Sequence, residues 1–397
     1  MRYEELRERR EQMLIEAQDM ERNGLASAKV VRQLMQKYGI TERSAYKVLS
    51  DARNALPVNE SGIGDMLVGA KTVQFDADGR IKQQWVKAST DKGFEAVKAL
   101  VEDLKDDLPK FKPIKKQSVK HERDDLLAVY PMGDPHLGLL AWGKETGDDH
   151  NLEIGERELC EAVERLVDSA PNSREALIAN LGDFFHADNL MGETMRSRHK
   201  LDTDTRWLKV LRAGIRAMIR CIQSALAKHE RVTVINAIGN HDDHSSMMLS
   251  TVLAHLFENE PRVEINDAPT IKHYYKFGQV LIGVHHGHTI KKDRLPLQMS
   301  SDRPKDWGDS SHRYWLTGHI HHDSRREYDG GVIVESFRTL AGKDAWTAEN
   351  GYSSGRDMKC IVYHKDFGEV ERHTVSVEML RANIKANGSK GKNNKKG

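Results

Sequence analysis

The chain has 397 residues, 38% of them apolar and 30% charged, and its 61 Lys and Arg nearly balance 60 Asp and Glu. That composition suits a soluble globular protein with one sizeable catalytic core and smaller appendages, and excludes a fibrous or wholly disordered chain. A formal net charge of +1 gives no global electrostatic pull on nucleic acid, so binding of that kind must come from local patches.

Residues 1–60 read as a helical domain: charged helix formers, then an amphipathic stretch over 27–37, a break at Tyr38-Gly39-Ile40, and a second helix opening at Thr41. A short glycine-containing turn between two helices is the rhythm of a helix-turn-helix, whose second helix can enter a DNA major groove. Thr41-Glu42-Arg43-Ser44 would cap that helix, and Arg43, Ser44, Tyr46 and Lys47 would be its available DNA contacts. The balanced charge of the segment equally fits a helical hairpin used for protein packing or homo-oligomerisation.

After a linker around Pro57 and Gly62, residues 61–124 read as a β-hairpin, a capped helix over 91–104 and a Lys- and Pro-rich linker over 106–123. In the hairpin, strands over 72–75 and 80–86 flank the Asp76-Ala77-Asp78-Gly79 turn. From 125 to 380 the pattern becomes short apolar strands, over 126–130, 176–181, 232–238, 280–284, 314–317 and 331–335, with amphipathic helices over 154–169 and 205–227 between the first three. Such alternation predicts an α/β layered domain. A late hairpin, 359–365 and 368–375, would extend a sheet, and the Lys-rich residues 381–397 read as a disordered basic tail.

Three cysteines, Cys160, Cys221 and Cys360, lie far apart, which predicts buried thiols in a reducing compartment rather than disulfides or a zinc knuckle. No stretch reaches the roughly 18 apolar residues needed to span a bilayer, and the charged start over residues 1–8 is unlike a secretory signal. The expectation is a cytoplasmic protein with no membrane partner.

Polar motifs follow five of the strands: Gly133-Asp134-Pro135-His136, Gly182-Asp183-Phe184-Phe185-His186, Gly239-Asn240-His241-Asp242, His285-His286-Gly287-His288 and Gly318-His319-Ile320-His321. Any one could be an ordinary loop. Five in series beyond strand ends, where α/β sheets gather ligands, point to one site. Aspartate, imidazole and amide oxygen without thiolate suit Mn²⁺, Fe²⁺ or Zn²⁺ in an open rather than a closed structural site. Two such cations about 4 Å apart can clamp the attacking and leaving oxygens of a displacement at phosphorus. Their mutual repulsion requires a shared anionic ligand, for which Asp183 is the natural bridge.

Over roughly residues 126–375 these motifs resemble the signature of calcineurin-like metallophosphoesterases, a layered β-sheet sandwich flanked by helices. The resemblance implies that Asp134 and His136 hold one metal with Asp183 and His321, and that Asn240, His286 and His319 hold a second, again with Asp183. It also implies manganese as the metal, a metal-bridging hydroxide as nucleophile, and His241 as the group that stabilises the transition state or protonates the leaving oxygen. Asp242 and Asp188 are the alternative carboxylate partners for His241. Protein phosphatases of this family carry Asp-Arg-Gly in the second motif and Glu after Asn-His. Here Gly-Asp-Phe-Phe-His-Ala-Asp and Gly-Asn-His-Asp look more like the double-strand-break repair nucleases, which implies a catalytic role for His186.

The whole chain is also similar to phage and prophage-encoded metallophosphoesterases that begin with a helix-turn-helix. The matching features are the hairpin ending Gln84-Trp85-Val86-Lys87, the loop over 140–147, Phe337-Arg338-Thr339-Leu340-Ala341 and Ser354-Gly355-Arg356. The leading expectation is a DNA phosphodiesterase or nuclease. A phosphodiesterase or phosphatase acting on a small nucleotide is the alternative, and a DNA-binding protein with a vestigial metal site stands third. Trp142 and Trp346 are candidates for base stacking, and Arg338, Lys343 and Arg356 for gripping phosphate, each with a packing or solvated role as the plainer reading.

Overall fold

The computed structural model describes residues 27–54, 71–75, 81–86 and 123–382 except 195–197, 350 and 352, together with Met13, Leu14, Glu16, Ala17 and Met20. The expected Asp76–Gly79 turn, the helix over 91–104, the two linkers and the basic tail lie outside these residues. The chain divides into two compact units, Met1–Glu102 and Asp103–Gly397.

In the first unit, α1 (Ser27–Tyr38) and α2 (Glu42–Asn54) are joined through Gly39, whose φ of 61° is open to glycine at no steric cost. Thr41 Oγ1 accepts the Ser44 amide at 3.3 Å and so satisfies one free donor of the α2 start. Val30, Val31 and Leu34 of α1 pack on Ala45, Val48 and Leu49 of α2, with Met13 and Ala17 completing a small core. Ser44, Tyr46 and Lys47 are exposed on α2, and the Arg43 side chain lies outside the described residues. Strands β1 (Lys71–Phe75) and β2 (Ile81–Val86) pair antiparallel, as the hairpin pattern predicts.

The second unit contains two sheets. The first comprises β3 (Arg123–Met132), β4 (Ser173–Asn180), β5 (Arg231–Asn236), β6 (Val263–Asn266), β12 (Asp357–His364) and β13 (Gly368–Ser376), in the order β13-β12-β3-β4-β5-β6. The second comprises β7 (His273–Phe277), β8 (Val280–Val284), β9 (His312–Thr317), β10 (Ser324–Tyr328) and β11 (Val332–Ser336), in the order β10-β11-β9-β8-β7. Strands β3 to β6 run parallel, as do β8, β9 and β11, while β12 and β13 add antiparallel pairs at one side of the first sheet and β7 and β10 at the two edges of the second.

Leu127, Val129, Leu177, Ala179 and Ile235 of the first sheet meet Val280, Ile282, Val284, Tyr314 and Leu316 of the second in one buried cluster. Their alternate spacing is the period-2 pattern of strands with an inward face. The amphipathic segments become α3 (Leu152–Ser169) and α4 (Trp207–Lys228), which pack on each other and, with α5 (Asp243–Leu256), against strands of the first sheet. On the second sheet, α6 (Leu295–Asp302) places Leu295 and Met299 against Leu281, Trp315 and Val332. The result is an α/β sandwich of two sheets with helices outside both. Cys160, Cys221 and Cys360 are buried free thiols. No helix among the described residues is long and apolar enough to cross a membrane.

Short β6, β7 and β10 and helices α5 and α6 escaped the sequence pattern. The β7 sequence HYYKF lacks a clean alternation, and α5 opens with Asp-His-Ser-Ser, which reads as loop until a partner caps it.

Gly214 lies inside α4, where glycine costs roughly 1 kcal/mol against alanine. A Cβ there would overlap the Phe185 ring and stand 3.1 Å from Phe184 Cε1. Gly214→Ala is therefore expected to destabilise by about 1–3 kcal/mol despite its better helix propensity; a higher melting temperature than wild type would contradict this packing.

Candidate metal centre

The five motifs leave the carboxyl ends of β3, β4 and β5 in one sheet and of β8 and β9 in the other, so both sheets deliver their polar loops to one end of the sandwich. Among the described residues, six non-glycine positions have positive φ, and five of them are Asp134 (46°), His136 (44°), Asp183 (49°), His319 (71°) and His321 (54°). The left-handed region costs an L-residue about 1–3 kcal/mol where surroundings force it. Its concentration on these five side chains marks a place where ligand geometry was favoured over backbone comfort.

Neighbouring glycines make the crowding possible. A Cβ on Gly239 would collide with the Asp183 carboxylate, one on Gly318 with that of Asp134, and one on Gly182 would stand 2.8 Å from His286 Nδ1.

Two ligand groups result. Asp134, His136 and His321 bring one donor atom each within 4.8 Å of one another, and Asp183, His286 and His319 do the same. Asp183 lies between them: its Oδ2 is 3.9 Å from His136 Nε2 and 3.2 Å from His286 Nε2. The two groups also touch through Asp134, whose Oδ1 is 3.6 Å from His321 Nε2 and 3.7 Å from His286 Nδ1.

The donor chemistry fits cations. His286 Nδ1 donates to the Leu181 carbonyl at 2.9 Å, which leaves Nε2 as a lone pair facing Asn240 Oδ1 at 3.0 Å and Asp183 Oδ2. With a neutral imidazole, three electron-pair donors thus converge, so either a proton or a cation must stand among them. Burial opposes charge on His286, yet Asp183 and Asp134 raise it to about 10, so the pocket demands positive charge at that point. A divalent cation supplies it without protonating a ligand. His136, by contrast, is held neutral, well below its ordinary value, by burial and by His241 and His321. Neutral imidazole is the form that binds metal.

The residues around the ligands are held by their own hydrogen bonds. His241 donates its backbone N–H to Asp183 Oδ1 at 2.8 Å, and its Nδ1 donates to the His186 carbonyl at 2.9 Å, leaving Nε2 for a substrate. The structure pairs His241 with neither carboxylate expected beside it. Asp242 accepts the amides of Phe184, Phe185 and Gly239 at 2.7, 3.2 and 3.1 Å and so ties the third motif to the second. Burial and Asp183 raise the Asp242 carboxyl to about 7 despite those donors. Asp188 accepts the His244 and Ser245 amides at 2.7 and 2.8 Å, capping α5 from another loop and fixing the chain that carries Asn240 and His241. His186 stands behind His136, Nδ1 to Nδ1 at 3.3 Å, with its Nε2 buried and unpartnered. Burial and His241 lower it to about 3.

Two supports gave no sequence signal of their own. The Leu181 carbonyl orients His286, and Thr339 Oγ1 donates to the carbonyl of strained Asp134 at 2.5 Å while accepting the Ala341 amide at 2.8 Å. His285 turns away from the site, with Nε2 on Thr289 Oγ1 at 2.9 Å. Arg338 and Arg356 are engaged in ion pairs with Asp357 and with Glu158 and Asp148, and Lys343 contacts Ser353. Trp142 is exposed, and the Trp346 side chain lies outside the described residues.

No protein-family model matches the chain, and no curated protein does. Among solved structures, similarity is found to a predicted phosphoesterase from Streptococcus pneumoniae (10% identity, 63% of this chain and 98% of the other, TM-score 0.28). A dimetal phosphatase from Danio rerio matches at 8% identity over the same shares, with a TM-score of 0.34. A 5'-nucleotidase from Candida albicans matches at 10% identity over 66% of this chain and 53% of its own, with a TM-score of 0.29. Likenesses this distant carry no argument, and the functional reading rests on the geometry above.

Two predictions follow from the supports and the charge balance. Thr339→Val removes the hydroxyl that steadies Asp134 and is expected to weaken metal binding about tenfold or more, as loss of an outer partner of a ligand does. Thr339→Ser should restore it, both read by titration calorimetry with Mn²⁺. Because the ligands crowd together only in the folded chain, Mn²⁺ at 100 times its Kd should add about 2.7 kcal/mol of stability; an unchanged thermal transition on adding Mn²⁺ to metal-stripped protein would exclude the centre.

Proposed function

We propose that this chain hydrolyses phosphoesters with two divalent cations, and that its substrate is a phosphodiester of DNA. The observation that carries the first part is Asp183 standing between two ligand groups, Asp134-His136-His321 and Asn240-His286-His319. Two carboxylates against the four positive charges of two divalent ions leave the centre net positive, which favours an anionic ester over a neutral one. When bound, the cations neutralise charge on phosphate and lower the pKa of water.

The chain's own contribution is placement. Hydrolysis adds a water oxygen to phosphorus and breaks the opposite P–O ester bond, and the departing oxygen takes up a proton. His241, with Nδ1 pinned to a carbonyl, is placed to hold that proton on Nε2. His186 steadies His136 from behind, while Asp242 and Asp188 hold the loops that carry Asp183, Asn240 and His241. Support for DNA comes from the Gly-Asp-Phe-Phe-His and Gly-Asn-His-Asp motifs, similar to those of repair nucleases, and from the helical unit with Ser44, Tyr46 and Lys47 exposed on α2.

The test is gel analysis of end-labelled single- and double-stranded DNA incubated with the protein and Mn²⁺. Cutting is expected with Mn²⁺, none with EDTA, and in Asp183→Asn a fall to the level of the metal-free protein. Metal-loaded protein that leaves DNA intact but turns over a small nucleotide diester would move the substrate to that class.

A further inference from the structure

Arg356 makes more bonds than its ion pairs require. Its side chain is only 13% exposed; Nη1 pairs with Asp148 Oδ2 and Nη2 with Glu158 Oε2 at 3.1 Å. Arg381 takes the remaining oxygen of each acid, Nη1 on Asp148 Oδ1 and Nε on Glu158 Oε1, both at 2.6 Å. Glu158 is buried, so its charge has to be matched inside the fold, and two arginines set over two acids match it. Charge balance does not explain the Leu340 carbonyl, a neutral acceptor. Arg356 Nε donates to that oxygen at 3.0 Å and Nη2 at 2.5 Å, whereas Arg381 is bonded to the acids.

Leu340 directly follows Thr339, whose hydroxyl steadies Asp134. The residue before Thr339 is held as well, since Arg338 Nη1 pairs with Asp357 Oδ2 at 2.6 Å. Two adjacent residues at the start of β12, Arg356 and Asp357, thus hold Leu340 and Arg338 on either side of Thr339. Between those anchors Thr339 Oγ1 donates to the Asp134 carbonyl at 2.5 Å and accepts the Ala341 amide at 2.8 Å. The segment also lies tight against the first motif, because a Cβ on Gly133 would stand 2.4 Å from the Arg338 carbonyl oxygen. Asp134 itself has a φ of 46°, a conformation that persists only where its surroundings over-determine it.

We infer that Arg356 is a positioning residue for the metal centre: through the Leu340 carbonyl it holds Thr339 on Asp134 and so sets the affinity of the cation at the Asp134-His136-His321 group. The inference rests on the two-cation reading above and adds a control on one of its two positions. It also turns Arg356 away from the phosphate-gripping role expected of a cationic loop residue, because its donors face acids and a carbonyl of its own chain.

The experiment reads metal affinity rather than turnover. Mn²⁺ is titrated calorimetrically into full-length wild type, Arg356→Met, Arg356→Gln and Arg381→Met. Met and Gln at 356 lose the ion pairs alike, but the Gln amide nitrogen stands as many bonds from the backbone as Arg Nε and still donates to Leu340. In Arg356→Met the Kd of one of the two equivalents is expected to rise about tenfold, as on loss of an outer partner of a ligand, with the other little changed. Arg356→Gln and Arg381→Met are expected to keep both affinities while melting at lower temperature. In a Thr339→Val background Arg356→Met should add nothing further, because the route to Asp134 is already cut. Wild-type affinities in Arg356→Met, equal weakening in all three variants, or losses that add to those of Thr339→Val overturn the inference. One measurement needs no variant to fold: in the wild type Mn²⁺ should slow amide exchange over residues 339–341, and unchanged exchange there overturns it too. Wild type that takes up no Mn²⁺ removes the two-cation reading and this inference together. If the affinities behave as expected and the metal-loaded wild type cuts no diester, the positioning role stands and the hydrolase reading fails.

Discussion

The rest of the second unit is organised around Asp183. It is buried, held in a left-handed backbone conformation, and placed between imidazoles of both ligand groups. Burying a carboxylate among neighbouring acids and strained backbone is expensive unless positive charge returns in exchange. Asp183 and Asp134 raise His286 against its burial, in line with a pocket that favours positive charge. On the function proposed above, two divalent cations would answer that demand and make a net positive place for a phosphoester.

Such a centre could not be built on one loop. The ligands leave three parallel strands of one sheet and two of the other, and the shared apolar cluster between the sheets fixes the distance between those strand ends. The supports are then short and local. Asp242 joins the second and third motifs, Asp188 caps α5, Thr339 steadies Asp134, and Gly182, Gly239 and Gly318 give way where a Cβ would strike a ligand. Even Gly214, deep in a helix, is explained by this demand, since it admits the Phe185 ring that follows Asp183 by two residues.

Function divides between centre and surroundings. The candidate centre is built from buried Asp and His side chains, while the loops after His136 and His186 expose Leu140, Trp142, Leu190 and Met191. The helical unit presents Ser44, Tyr46 and Lys47 on a face of its own.

The sequence by itself determined the layered α/β class and the antiparallel hairpins, and it singled out the Asp, His and Asn residues that the fold brings together. Apolar alternation marks strands wherever an inward face repeats every second residue, and Asp, His and Asn after such strands have few other reasons to recur. Helix α5 and the short strands β6, β7 and β10 were not legible, because their stability comes from neighbours such as Asp188 rather than from their own pattern. The roles of Asp242, Asp188 and His186 were decided only by the tertiary structure. A carboxylate or imidazole two to five residues beyond a candidate ligand in sequence is free to face metal, substrate or backbone, and only the folded positions of Phe184, Gly239, Ser245 and His136 settle which. The supports from Thr339 and the Leu181 carbonyl belong to the same class: a hydrogen bond across some two hundred residues of chain, or one made by a main-chain oxygen, leaves no mark on residue type.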